Sequence, residues 1–112
     1  MPVVESVEVV VGLQDDFMAR HRKARKRAAE VWTSLVQQAP LLRQDPFLGD
    51  QVSKKRFPRR FKGFDNLWRI ALPHGFRALY TVLGQTTGRV KVRVEWLGDH
   101  KEYDSLFGYS TS

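Results

Sequence analysis

Apolar and polar positions alternate loosely over residues 3–13, with Val7, Val9 and Val11 on one side, and this predicts a β-strand. Asp15 and Asp16 follow, where an acid supplies both an N-cap and favourable charge at a helix start. Nothing then interrupts a helix until about residue 38. Phe17, His21, Ala24, Ala28, Val31 or Trp32, and Leu35 recur at helical spacing, so one stripe packs inward and takes His21 with it. The spacing leaves open whether this is one helix or a hairpin of two.

Pro40, Pro46, Gly49, Pro58 and Gly63 punctuate residues 40–65, which read as loop with room for one short strand. Three strands are expected next, over residues 67–72, 76–83 and 89–97, with turns at 73–75 and 84–88. Residues 99–109 fit a short helix. Pairing Leu72 with Phe76 sets Ala71 opposite Arg77 and Arg69 opposite Leu79. Pairing Leu83 with Arg89 sets Arg77 opposite Glu95 and Leu79 opposite Arg93. One face then holds Trp68, Ile70, Leu72, Phe76, Ala78, Tyr80, Val82, Val90, Val92, Val94 and Trp96, which belong under the helix. The other holds Arg69, Ala71, Arg77, Leu79, Thr81, Lys91, Arg93 and Glu95. A one-residue slip of any strand would mix the two sets, so the register is self-consistent. The expected architecture is one α+β domain over residues 1–112: an N-terminal strand and a helix or helical hairpin packed on a twisted antiparallel sheet. Its second face is free to work.

Charge changes the picture from fold to partner. The chain carries 19 Lys and Arg against 12 Asp and Glu, a net charge of +7 that favours polyanionic partners. Six of the eight residues at 20–27 and six of the nine at 54–62 are basic, so these two runs hold 12 of the 19 cations. The second run, Lys54, Lys55, Arg56, Arg59, Arg60 and Lys62, is interleaved with Phe57 and Phe61 and reads as a phosphate-contacting loop, joined by Arg93 on the sheet. The helical run reads equally well as a solvated face. No apolar run approaches the roughly 20 residues of a membrane helix. The N-terminus, broken by Glu5 and Glu8 without a basic start, does not read as a signal peptide. The absence of cysteine fits a cytoplasmic protein, and three scattered histidines without cysteine argue against structural zinc.

Arg69, Arg77 and Arg93 on one face suit a phosphodiester, because guanidinium stays charged and grips two phosphate oxygens at once. Taken by itself, Arg77 is more simply explained by an ordinary cross-strand ion pair with Glu95. His100 is the best acid–base candidate, with Lys101, Tyr103 and Tyr109 close by in sequence. His74 falls in a turn.

Several segments together resemble the RelE/ParE toxin superfamily. They are Asp45-Pro46-Phe47-Leu48-Gly49, the stretch Lys54-Lys55-Arg56-Phe57-Pro58, Asn66-Leu67-Trp68-Arg69, Leu72-Pro73, Phe76-Arg77-Ala78-Leu79-Tyr80 and His100-Lys101-Glu102-Tyr103-Asp104. The resemblance spans residues 45–109. It implies the toxin of a type II toxin–antitoxin module, and in the RelE branch a ribosome-dependent mRNA endoribonuclease that needs neither metal nor cofactor. It implies as partners an antitoxin with an acidic segment, messenger RNA and the ribosome. Carried onto this chain, it implies catalytic roles for Arg69, Arg77, His100, Lys101 and Tyr103. Two positions depart from the pattern. Ala71 stands where RelE has a lysine, and Asp99 is acidic where that branch is basic. They keep two alternatives open: a ParE-like poison of DNA gyrase that cleaves nothing, and a catalytically weakened relative that still binds nucleic acid.

Overall fold

The computed structural model describes residues 3–109. Strand β1 (Val3–Val9) leads through Gly12, in the left-handed region at φ 86°, into α1 (Leu13–Arg20). A 3-10 turn at Arg22–Ala24 separates α1 from α2 (Arg25–Gln44). The break between the two helices thus falls at His21, making a helical hairpin. The chain continues through the two-residue β2 (Asp50–Gln51), then β3 (Trp68–Ala71), β4 (Arg77–Leu83), β5 (Arg89–Gly98) and α3 (His100–Phe107). Among the described residues no helix is long and apolar enough to cross a membrane.

The five strands form one sheet in the order β1-β5-β4-β3-β2. Its class is α+β, but the sheet is mixed and not antiparallel throughout. β2 to β5 pair antiparallel, whereas β1 lies parallel to β5. The intervening hairpin and strands return the chain to the end of the sheet where β1 began, so β5 runs in the same direction as β1. β1 departs from the expected stripe of Val7, Val9 and Val11, and its pairing with β5 shifts register between Val4 and Ser6. Val4 and Val7 pack on the core, while Val9 and Val11 are exposed.

α2 runs past the expected end near residue 38 and straight through Pro40. Proline removes one helical hydrogen bond and would ordinarily end the element. Here Leu42, beyond the proline, is fully buried, and packing holds the last turn. The main core lies between the hairpin and the sheet, where Phe17, Ala28, Val31, Leu35 and Leu42 meet Ile70, Phe76, Ala78, Tyr80, Val82, Val92 and Leu97. Tyr80 adds a buried hydroxyl that donates to the Pro46 carbonyl and accepts from the Gly49 N–H, each at 2.9 Å. The turn between β3 and β4 is pinned to α2 by His74, whose Nε2 lies 2.8 Å from Glu30 Oε2.

The β3–β4 register is the expected one, with Ala71 opposite Arg77 and Arg69 opposite Leu79. The β4–β5 register is not. Leu83 faces Lys91, two residues on from the expected Arg89, which preserves the faces. An irregularity between Leu79 and Tyr80 then sets Leu79 against Trp96 and Arg77 against Gly98. This is a β-bulge. One extra residue of β5, Glu95, lies between the partners of Leu79 and Tyr80, and side-chain parity reverses beyond it. Trp96 therefore leaves the main core for the second face, and Leu97 replaces it.

The second face is not free either. Phe57, Phe61, Leu67, Leu79, Trp96 and Tyr103 form a smaller buried cluster there, with Val52, Phe64, Leu106 and Phe107 packed on it. The loop before β3 and helix α3 supply this cover. Both grip the sheet through aromatic side chains, which bury large apolar areas.

Candidate functional site

β3 and β4 project Arg69 and Arg77 from the second face, and α3 folds back over them. That helix starts abruptly because Asp99 and Glu102 form a capping box. The Glu102 N–H donates to Asp99 Oδ1, and the Asp99 N–H donates to Glu102 Oε1, each at 2.8 Å. Gly98 precedes the cap in a crowded place, where a Cβ would lie 2.6 Å from two ring atoms of Trp96.

The result is a cluster around one ring. The Arg77 guanidinium carbon lies 4.5 Å from the Tyr103 ring centroid, and that of Arg69 lies 5.9 Å away. Both distances are within cation–π range. Arg69 Nη1 also donates to the Tyr103 hydroxyl at 3.4 Å, and Arg69 Nη2 donates to Asp50 Oδ2 at 3.1 Å. Hydrogen bonds to Asp50 and then to Tyr103 hold the Arg69 pKa above its ordinary value. Tyr103 is only 4% exposed, its ring stacked on Phe107 with centroids 4.4 Å apart. Beside the cluster opens a cleft of about 450 Å³ lined by Asp50, Ser53, Arg56, Arg69, Tyr103 and Tyr109, among others.

The other predicted residues lie elsewhere. His100 is 62% exposed on the first turn of α3, its Nε2 3.1 Å from Asp104 Oδ2, and it does not line this cleft. Lys101 points to the opposite flank of α3, where it lines a second cleft of about 670 Å³ with Arg20, Arg60, Glu95 and Glu102. Arg93 is exposed, and its Nε donates to Glu95 Oε1 at 2.6 Å. The cross-strand pair between Arg77 and Glu95 is absent because the two-residue register shift and the bulge together put Gly98 opposite Arg77.

Lys54, Lys55 and Arg56 occupy one 3-10 turn, and Arg59 and Arg60 a second, with Lys62 just after it. All six are exposed, while Phe57 and Phe61 between them are buried. The phenylalanines pin the loop and turn its cations outward. They are not available to stack on bases. Among the described residues none of these six cations forms an ion pair.

Two acids that matter escaped the sequence reading. Asp50 reaches Arg69 through the β2–β3 pairing, and no local signal marks it. Glu102 had a readable signal, the capping-box spacing with Asp99. Its carboxylate also takes Arg20 Nη1 and lies 2.6 Å from His21 Nε2. His21 is packed between Phe17 and Phe76, as its place on the helix stripe implied. His21, Asp99 and Glu102 bring their ligand atoms within 4.8 Å of one another, and Arg20 already pairs with the Glu102 carboxylate.

No family model, curated protein or solved structure matches this chain.

Proposed function

We propose that the chain is a RelE/ParE-like toxin of a type II toxin–antitoxin module, acting in the cytoplasm as a ribosome-dependent mRNA endoribonuclease. The observation that carries this reading is the convergence of Arg69 and Arg77 on Tyr103, with Arg56 beside them and a band of unpaired cations on the adjoining loop. Messenger RNA lies in the cleft with its scissile phosphate against Arg69; Arg77 does not line the cleft but meets the same Tyr103 ring. The 2′-hydroxyl attacks the neighbouring phosphorus, giving a 2′,3′-cyclic phosphate and a free 5′-hydroxyl. One proton leaves O2′ and one reaches O5′. Extra negative charge develops on the phosphoryl oxygens in the transition state, and fixed arginines favour it. Tyr103, whose hydroxyl meets Arg69, is the group assigned to proton transfer, since His100 lies outside the cleft. An acidic antitoxin segment over the same face would neutralise its charge and close the cleft.

One observation favours a second reading. Tyr103 is almost wholly buried and Arg69 is already paired with Asp50, which suits a scaffold more than a nuclease. A ParE-like poison of DNA gyrase, or a weakened relative that only binds nucleic acid, fits that arrangement. Primer extension on translated mRNA after brief induction separates the readings. Cuts within codons are expected. Intact message with DNA-damage signalling would move the assignment to gyrase.

A further inference from the structure

The loop cations occupy the sheet's second face, but five others lie in the helical layer. Arg22, Lys23, Arg25, Lys26 and Arg27 occupy the hairpin turn and the first turn of α2, and all are exposed. None of the five forms an ion pair among the described residues. Glu30, the nearest acid along the helix, faces His74. The first turn of α2 contains no acid, so the positive charge there adds to the helix dipole. Like charges this dense destabilise the isolated chain unless an anion offsets them.

The position of this tip is defined by its neighbours. Arg20 Nη2 donates to the Leu97 carbonyl at 2.7 Å, and the His21 ring lies 5.1 Å from that of Phe76. Arg77 stands opposite Gly98 at that same end of the sheet. The tip therefore flanks the end that carries Arg77, but from the other layer.

We propose that this tip is a docking surface for the phosphate backbone of double-stranded RNA, separate from the cleft. The inference rests on reading the chain as RNA-binding, and it names a second binding surface that this reading does not require. Composition selects the partner. A shallow hollow in the tip is lined by Lys23, Ala24, Arg25, Lys26, Arg27, Glu30 and His74. It holds no large apolar group, whereas protein interfaces need an apolar centre and membrane-surface helices an apolar face. The large exposed apolar side chains lie outside the tip: Val11 and Leu48 in other segments, and Val36 and Leu41 more than two turns further along α2. Apart from the His74 ring, the tip has no aromatic platform on which single-stranded bases would stack. Duplex RNA is gripped through its backbone and shape, which cations alone can do.

The test uses the full chain and a variant with Arg22, Lys23, Arg25, Lys26 and Arg27 all changed to Gln, its fold checked by circular dichroism. Binding is measured across a salt series to a 20-base-pair RNA duplex, a 20-nucleotide single strand and poly-glutamate. Expected is weaker duplex binding and a shallower salt dependence, by about one unit of log–log slope for each phosphate that the variant leaves unneutralised. The single strand should be affected much less. An unchanged duplex slope overturns the proposal. An equal or larger loss toward poly-glutamate overturns it in favour of an acidic protein partner. A wild-type chain that leaves translated mRNA intact, yet binds duplex through this tip, would sink only the nuclease reading.

Discussion

His21 on the helical hairpin and Glu102 on the C-terminal helix meet with Nε2 and Oε1 2.6 Å apart, across 81 positions of sequence. Arg20 joins the same carboxylate, and the Asp99 N–H completes it. This junction seats α3, and with α3 the Tyr103 ring against both arginines. A residue far from the phosphate thus controls the geometry that would hold it.

Glu102→Ala should destabilise the chain by roughly 1–3 kcal/mol, since it removes half of a capping box and leaves Arg20 and His21 short of a partner. Urea unfolding checks this. A wild-type midpoint in the variant would show that the junction carries no stability.

Acid should weaken the same junction. Burial works to raise the Glu102 pKa, but hydrogen bonds from the Asp99 N–H, Arg20 and His21 overcome it and hold the value below the ordinary 4.5. A depressed carboxylate contributes stability that is complete above the unfolded value and fades as pH falls through the folded one. Stability should therefore decline below about pH 4.5, and Glu102→Gln should flatten that limb. Parallel acid limbs for both proteins would contradict the assignment.

Alkali tests the Tyr80 phenol. Burial pushes its pKa from 10.0 up to about 12. Between those values the unfolded chain has released the proton and the folded chain still holds it, so stability falls as pH rises. Tyr80→Phe should remove that slope while costing roughly 1–3 kcal/mol at neutral pH, because the Gly49 N–H and Pro46 carbonyl lose their partner. The readout is thermal unfolding from pH 7 to 12.

At the arginine cluster, Arg77→Ala should lower RNA cleavage by about 100- to 1,000-fold, the loss typical of one preorganised transition-state donor. Arg77→Lys should recover only part of it, because an ammonium cannot grip two phosphate oxygens at once. Single-turnover cleavage in a translating extract measures both. Full activity in a folded Arg77→Ala protein would remove Arg77 from the site.

Gly98→Ala tests the bulge. Its new Cβ would meet the buried Trp96 ring at 2.6 Å and Glu102 Oε1 at 3.0 Å. Overpacking of this kind costs about 1–3 kcal/mol. A shift in tryptophan emission together with a lowered midpoint is expected. No change in either would mean the ring moves aside freely.

Much of this molecule could be read from the chain alone, for a local reason. Alternation along β3 and β4 and the three-residue turn between them set Arg69 opposite Leu79 and Ala71 opposite Arg77, since each choice is enforced within ten residues. Helical spacing likewise turned Phe17, Ala28, Val31 and Leu35 inward. The two basic runs, and the excess of cations over acids, needed only counting.

What sequence could not decide depended on distant partners. The extra residue in β5 carries no mark of its own, because Arg93, Glu95 and Trp96 alternate plausibly in either register. Only the fit of Trp96 against Leu79 and Tyr103, and of Leu97 into the main core, selects the bulge. The same holds for α2 beyond Pro40, kept helical by the burial of Leu42, and for the parallel pairing of β1 with β5. Composition and periodicity determined which side chains must be hidden and how much charge must find a partner. Tertiary packing decided which arginines share a ring, because that depends on free-energy differences spread over residues far apart in the chain.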